Sequence, residues 1–210
     1  MLMGSASMSE IENGAYVMET GVPFFSVEYR LAPEHKHPVP EELGIDSSRI
    51  GFMGQSVGGG VAVGVALMAR DRKVTPPLAK QILLYPMIDH RPSVPGPAVQ
   101  PRITWDSDDN RTCWAAVLGS DNVGTSEVSP YAAAARPEEV SGMPSTYIDV
   151  GNLDIFWAPC MLYAQKLAAE GVATEFHLYS GVPHAFELMA PAATISKTAQ
   201  ANRIRALKSF

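Results

Sequence analysis

Short apolar runs along this chain alternate with longer stretches in which apolar residues recur every three to four positions. That is the pattern of an α/β protein with a mainly parallel sheet. The first run, Val22 to Tyr29, is rich in aromatic and β-branched residues and reads as a strand. It closes in Arg30–Pro40, where Pro33, Pro38 and Pro40 exclude a helix. The second run is Arg49-Ile50-Gly51-Phe52-Met53, after a turn-like Asp46-Ser47-Ser48. A helical pattern follows at once. Val61, Val65 and Met68 share one stripe, and Arg70, Arg72 and Lys73 cluster towards the C-terminal end, where cations suit the helix dipole.

Gln81 to Pro86 reads as a third, buried strand ended by proline. From about residue 89 to 129 the regular pattern is lost, apart from a short helix expected around Asn110 to Leu118. That stretch is long for a plain loop and predicts a small cap or lid inserted in the domain. Alternation returns at Ser145–Gly151, followed by a helix with Phe156, Cys160, Tyr163 and Leu167 on one face and Gly171 at its end. Thr174–Tyr179 is the last strand, and a final helix spans roughly Thr194 to Ser209. The reading is one domain, 1–210, with about five strands.

Composition narrows the function. The 210 residues are 46% hydrophobic and 18% charged, which supports one sizeable core and excludes disorder as a description of the whole chain. The net charge of −6, with no basic run beyond Arg70-Asp71-Arg72-Lys73, argues against nucleic-acid or anionic-membrane partners. No apolar run reaches membrane-spanning length, and Met1–Ser5 has neither a basic nor a long apolar segment. A cytoplasmic protein is expected. Cys113 and Cys160 form neither a disulfide framework nor a ligand motif, and read as small buried apolar groups.

The strongest local signal is Gly54-Gln55-Ser56-Val57-Gly58, a Gly-x-Ser-x-Gly between an expected strand and an expected helix. A sharp strand-to-helix turn would hold Ser56 strained, with its hydroxyl exposed, and a Cβ at Gly54 or Gly58 is expected to clash with the neighbouring strand and helix. The Val57 N–H would then face a developing oxyanion. The competing reading is a glycine-rich turn that only allows close helix–sheet packing.

A nucleophilic serine needs a base and a group that orients the base. Asp154, in Gly151-Asn152-Leu153-Asp154, and His184, in Pro183-His184-Ala185-Phe186, both follow strand ends, where sites collect in open α/β sheets. Asp154 alone could be a helix cap and His184 alone an ordinary loop histidine. The order Ser, Asp, His is nevertheless that of a nucleophile-elbow hydrolase. His35, His37, His90 and His177 show no metal-ligand spacing. Trp105 and Trp114 either line an acyl pocket or pack the cap.

Taken together, Tyr29–Glu34, Gly54–Gly60, Leu84-Tyr85-Pro86, Gly151–Asp154 and Pro183–Phe186 resemble the hormone-sensitive-lipase-like branch of the α/β-hydrolases (the α/β hydrolase fold-3 domain). The resemblance implies a three-layer α/β sandwich and carboxylic ester hydrolysis of short-chain or small-metabolite esters. Ser56 is implied as nucleophile, His184 as general base and then acid, and Asp154 as the group that orients His184. No metal or organic cofactor is implied, and the partner is a small ester; a homodimer through the C-terminal helix and last strand is compatible with the family. The family has Asp and Ala where Gln55 and Val57 stand. It also carries a His-Gly-Gly-Gly segment and further strands upstream, so the resemblance implies a chain truncated at its N-terminus, with a partial oxyanion hole and a more open pocket. One of those strands would lie between the strands of Val22–Tyr29 and Ile50–Met53. The alternative is a weak or inactive paralogue or a small-molecule-binding relative. A peptidase on the same fold fits less well, given Tyr29–Glu34.

Overall fold

The computed structural model describes residues 10–26, 49–91, 95–97, 99–137 and 139–209. Four strands stand among them: β1 (Gly51–Gln55), β2 (Lys80–Leu84), β3 (Ser145–Gly151) and β4 (Thr174–Tyr179). They form one sheet in the order β1-β2-β3-β4, every pair parallel. Gly51 stands opposite Lys80, Lys80 opposite Ser145, and Thr146 opposite Thr174. The two central strands are buried almost from end to end, as a parallel sheet covered on both faces requires.

The helices are α1 (Glu10–Thr20), α2 (Val57–Asp71), α3 (Ser107–Leu118), α4 (Trp157–Ala169), α5 (Phe186–Met189) and α6 (Thr194–Leu207). Helix α2 packs on β1 and β2, α4 on β3 and β4, while α6 touches β2 and α1 packs on α6. The face read for α4 is the observed one: Phe156, Cys160, Tyr163 and Leu167 are all buried. The stripe read for α2 is not. Val63, Ala66 and Leu67 enter the core, whereas Val61, Val65 and Met68 are only half-buried. Small residues decide this. A Cβ on Gly60 would lie 2.2 Å from the Met87 carbonyl oxygen, and one on Gly64 2.1 Å from that of Tyr131, so the helix approaches by its glycine face.

The strand expected at Val22–Tyr29 is not formed over residues 21–26. Pro23 carries no N–H for a ladder, and Phe24 instead stacks on Tyr16 of α1 at 5.9 Å between ring centroids. Val27–Tyr29, the proline-rich stretch, Tyr29–Glu34 and the Asp46–Ser48 turn lie outside the described residues. Helix α1 itself was not expected. Its evident apolar residues face outward, Ile11 and Met18 being 91% and 89% exposed, and its anchor is Tyr16, fully buried, with its hydroxyl donating to Gln200 of α6 at 3.0 Å.

Helix α3 starts a turn earlier than the apolar pattern predicts, because a capping box begins it. The Asp106 carboxylate accepts from the N–H groups of Asp108 and Asp109, both at 2.8 Å, and Asp109 accepts from the Asp106 N–H. Cys113 and Trp114 anchor α3 in the core, and Trp114 meets His90 edge-on. The Gly124 N–H donates to His90 Nδ1 at 2.9 Å, so that histidine ties down the segment after β2. No described helix is long and apolar enough to cross a membrane.

Candidate active site

Strand β1 ends at Gln55 and α2 begins at Val57, leaving Ser56 alone to turn the chain. It does so with φ 52° and ψ −119°, a region costly for a residue with a side chain. Three backbone bonds hold it there. The Ser56 N–H donates to Leu84 at 2.9 Å, and its carbonyl accepts from Met87 at 2.8 Å and Gly60 at 3.2 Å. The turn is tight enough that a Cβ on Gly54 would lie 2.3 Å from the Gly58 oxygen, and one on Gly59 2.7 Å from Pro86 Cβ. The steric expectation for Gly58 is corrected, since a Cβ there would meet nothing within 4 Å. Its backbone is the obstacle to a side chain at Gly54; its own Cα faces open space.

Strand β3 ends at Gly151, and Asp154 lies in the turn that follows. That turn is pinned to the end of β4: the Asn152 N–H donates to Tyr179 at 2.9 Å and the Leu153 N–H to Val182 at 3.1 Å. Gly151 allows this approach, because a Cβ would stand 2.1 Å from the Val182 oxygen. His184 follows β4 and is succeeded by Ala185 in the left-handed region, φ 54° and ψ 35°.

These three positions meet. His184 Nε2 lies 3.0 Å from Ser56 Oγ, and His184 Nδ1 lies 2.6 Å from Asp154 Oδ2. With Nδ1–H donating to the carboxylate, Nε2 is left to accept the serine proton. The Asp154 side chain is fully buried, and that of His184 is 11% exposed. The cap position of α4 is Phe156 and not Asp154, whose other oxygen, Oδ1, accepts from the Phe156 N–H at 2.9 Å just before the helix. Val57 is the first residue of α2, so its N–H has no acceptor inside the helix.

Three aromatic rings enclose the imidazole. Tyr85 meets it edge-on at 4.6 Å between centroids, Phe156 edge-on at 5.3 Å, and Trp105 lies tilted at 6.5 Å. Thr104 Oγ1 donates to the His184 carbonyl at 3.1 Å. Trp105 therefore borders the site, while Trp114 packs the core. The contacts from Tyr85, Phe156 and Thr104 were not legible in the sequence, which places Tyr85 inside the strand Gln81–Pro86, whereas β2 ends at Leu84 and leaves Tyr85 just beyond it.

Behind the serine lies a buried polar cluster. Tyr85 Oη donates to Glu187 Oε1 at 2.7 Å and is 3.2 Å from Gln55 Oε1. Arg203 of α6 grips both oxygens of Asp149 at 2.7 and 3.0 Å and Glu187 Oε1 at 2.6 Å. Burial raises the Glu12 carboxyl above its ordinary value, and the Glu187 charge raises it further. Burial pushes the Cys160 and Cys113 thiols up as well, which suits apolar packing and not a thiolate nucleophile. Among the described residues no group of His, Cys, Asp and Glu could hold a metal ion.

A strained serine at a strand–helix turn, bonded to a histidine that is bonded to a buried aspartate, is the arrangement of a nucleophile elbow. A family model described as alpha/beta hydrolase fold (Abhydrolase_3) matches residues 1–188. The chain belongs to that family. Among relatives of the α/β-hydrolase, the carboxylesterase NlhH of Mycobacterium tuberculosis is 34% identical over 189 residues, covering 80% of this chain and 58% of its own length. Esterase LipI of the same organism is 30% identical over 181 residues, covering 77% of this chain and 54% of its own. This chain thus spans little more than half the length of either. A solved structure described as a bacterial heroin esterase superposes with TM-score 0.87 at 32% identity, covering 99% of this chain and 70% of that one. Esterase LipW from Mycobacterium marinum superposes with TM-score 0.83 at 27% identity, covering 99% and 69%.

Proposed function

We propose that this α/β-hydrolase cleaves small carboxylic esters through an acyl-enzyme formed on Ser56. The observation that carries the reading is the continuous pair of contacts from Ser56 Oγ to His184 Nε2 and from His184 Nδ1 to Asp154 Oδ2. Ser56 Oγ attacks the acyl carbon as its proton passes to His184 Nε2. The Asp154 carboxylate stabilises the imidazolium and keeps the ring in the tautomer that can accept. His184 then gives the proton to the departing alkoxide, so the alcohol leaves and the acyl group stays on Ser56. A water repeats the sequence: His184 takes its proton, the hydroxide attacks the acyl carbon, and the proton returns to Ser56 as the carboxylic acid departs.

The Val57 N–H is the proposed oxyanion donor on the described part of the chain, a role worth roughly 3 kcal/mol of transition-state stabilisation. The segment from 89 to 129 is proposed as the cap, with Trp105 and Thr104 forming its wall on the His184 side. No step in this scheme needs a group beyond side chains, backbone and water.

The test compares wild type with Ser56→Ala on p-nitrophenyl acetate and butyrate, alongside labelling by a fluorophosphonate probe. The expected result is turnover and labelling by wild type and neither by the variant. Equal rates for the two proteins would remove Ser56 as the nucleophile. Labelling without turnover would instead favour the weak or inactive paralogue, with an assembled triad and an incomplete oxyanion hole.

A further inference from the structure

We propose that Glu187, clamped by Arg203, is a positioning residue that holds His184 against Ser56 through the ring of Tyr85. This deepens the reading above and rests on it only for the catalytic consequence.

The path is continuous. Arg203, with no exposed side-chain surface, bonds both oxygens of Asp149 and then Glu187 Oε1 at 2.6 Å. The same Glu187 oxygen accepts from Tyr85 Oη at 2.7 Å, and the Tyr85 ring lies edge-on to His184 at 4.6 Å. The guanidinium carbon of Arg203 sits 5.8 Å from the centre of that ring. Tyr85 is therefore fixed at its hydroxyl end and pressed on His184 at its ring.

Glu187 also acts along the chain. It follows His184 by three residues, across Ala185 in a left-handed conformation that persists only if the surroundings enforce it. The Glu187–Arg203 bond, at the start of the one-turn helix α5, anchors the far side of that bend. Stability alone is a weak reason for burying one cation with two carboxylates, because well-packed apolar side chains often serve a core as well or better. What the cluster supplies is geometry. It joins β3, α6, the residue after β2 and the His184 turn at fixed bonding distances.

The experiment uses wild type, Glu187→Ala, Glu187→Gln and Tyr85→Leu, each checked for folding by circular dichroism. Two readouts are taken: kcat and KM on p-nitrophenyl butyrate, and the low-field proton resonance of His184 Nδ1–H, assigned by its loss in His184→Ala. Glu187→Ala is expected to lower kcat about tenfold with KM within about twofold, and to broaden the resonance, as misplaced catalytic groups do. Glu187→Gln, whose amide oxygen still accepts from Tyr85 and Arg203, restores both. Tyr85→Leu reproduces the Glu187→Ala signature and serves as the probe if Glu187→Ala does not fold. A folded Glu187→Ala, or in its place a folded Tyr85→Leu, with wild-type kcat and an unchanged resonance overturns the inference, as does a Gln variant as impaired as Ala. Wild type that cleaves no ester, yet whose resonance responds to Glu187→Ala, sinks the hydrolase reading and leaves the positioning role standing.

Discussion

Asp154 meets His184 Nδ1 with one carboxylate oxygen and the N–H of Phe156, the residue that leads into α4, with the other, at 2.6 Å and 2.9 Å. Binding the helix start keeps the carboxylate from rotating, so Oδ2 stays aimed at Nδ1. The buried position removes water that would compete for either oxygen.

Asp154→Asn separates these two duties. The amide oxygen can still accept from Phe156 N–H, so folding should survive. The NH2 group cannot accept from Nδ1–H, and the imidazole loses its working tautomer. We expect kcat to fall by roughly 10³–10⁴-fold, measured on p-nitrophenyl butyrate, with a melting temperature close to wild type. A variant retaining a tenth of the activity would show that Asp154 does not orient His184.

The glycines of the elbow should part company on stability. Gly54→Ala puts a methyl 2.3 Å from a backbone oxygen with no room to retreat, and should cost about 1–3 kcal/mol in urea unfolding. Gly58→Ala adds a methyl into open space inside α2, and should stabilise by up to about 1 kcal/mol. Equal losses in the two variants would contradict the geometry of the turn.

Trp105 stands closer to His184 than any other residue of the proposed cap with a ring facing it. Trp105→Ala should therefore change substrate preference. The ratio of kcat/KM for p-nitrophenyl hexanoate over acetate is expected to rise by about 10-fold, in the range that one or two methylenes of pocket space provide. An unchanged ratio would place the acyl group elsewhere.

Two neighbouring arginines of α6 offer a contrast in burial. Arg203→Met leaves Asp149 and Glu187 buried without their cation and should cost about 3–5 kcal/mol. Arg205 pairs with Glu175 at the surface, and Arg205→Ala should cost less than about 1 kcal/mol. The Arg205 bond, helped by His177, holds the Glu175 carboxyl below its ordinary value of 4.5. A lowered acid stabilises the fold above that value and loses its contribution as the pH falls through its folded value. The Arg205→Ala penalty should thus be full at pH 7 and shrink on acidification below about 4.5, read as the difference in urea midpoint between the two proteins. A penalty that grows on acidification would reverse the assignment.

Local pattern carried much of this protein. The apolar run Ile82–Leu84 identified β2 and the alternation of Ser145–Gly151 identified β3, while the polar Gln81, Thr146 and Asp149 that these covered strands also bury are held by hydrogen bonds the pattern does not show. The spacing from Phe156 to Leu167 identified α4, and the glycines around Ser56 marked a turn that few other residues could make. Ser56, Asp154 and His184 were legible because parallel strands deliver their C-terminal ends to one rim of the sheet, wherever those residues fall in the chain. Other features belong to the folded molecule alone. Which face of α2 enters the core depends on the carbonyls of Met87 and Tyr131 that glycine permits it to approach. Pro23 in a strand-like run, the outward-facing Ile11 and Met18 of α1, and the Arg203 cluster gain their meaning only from partners distant in sequence. Periodicity reports a residue's local direction. It holds no record of what stands opposite, and the opposing surface is what fixes the distances on which this site depends.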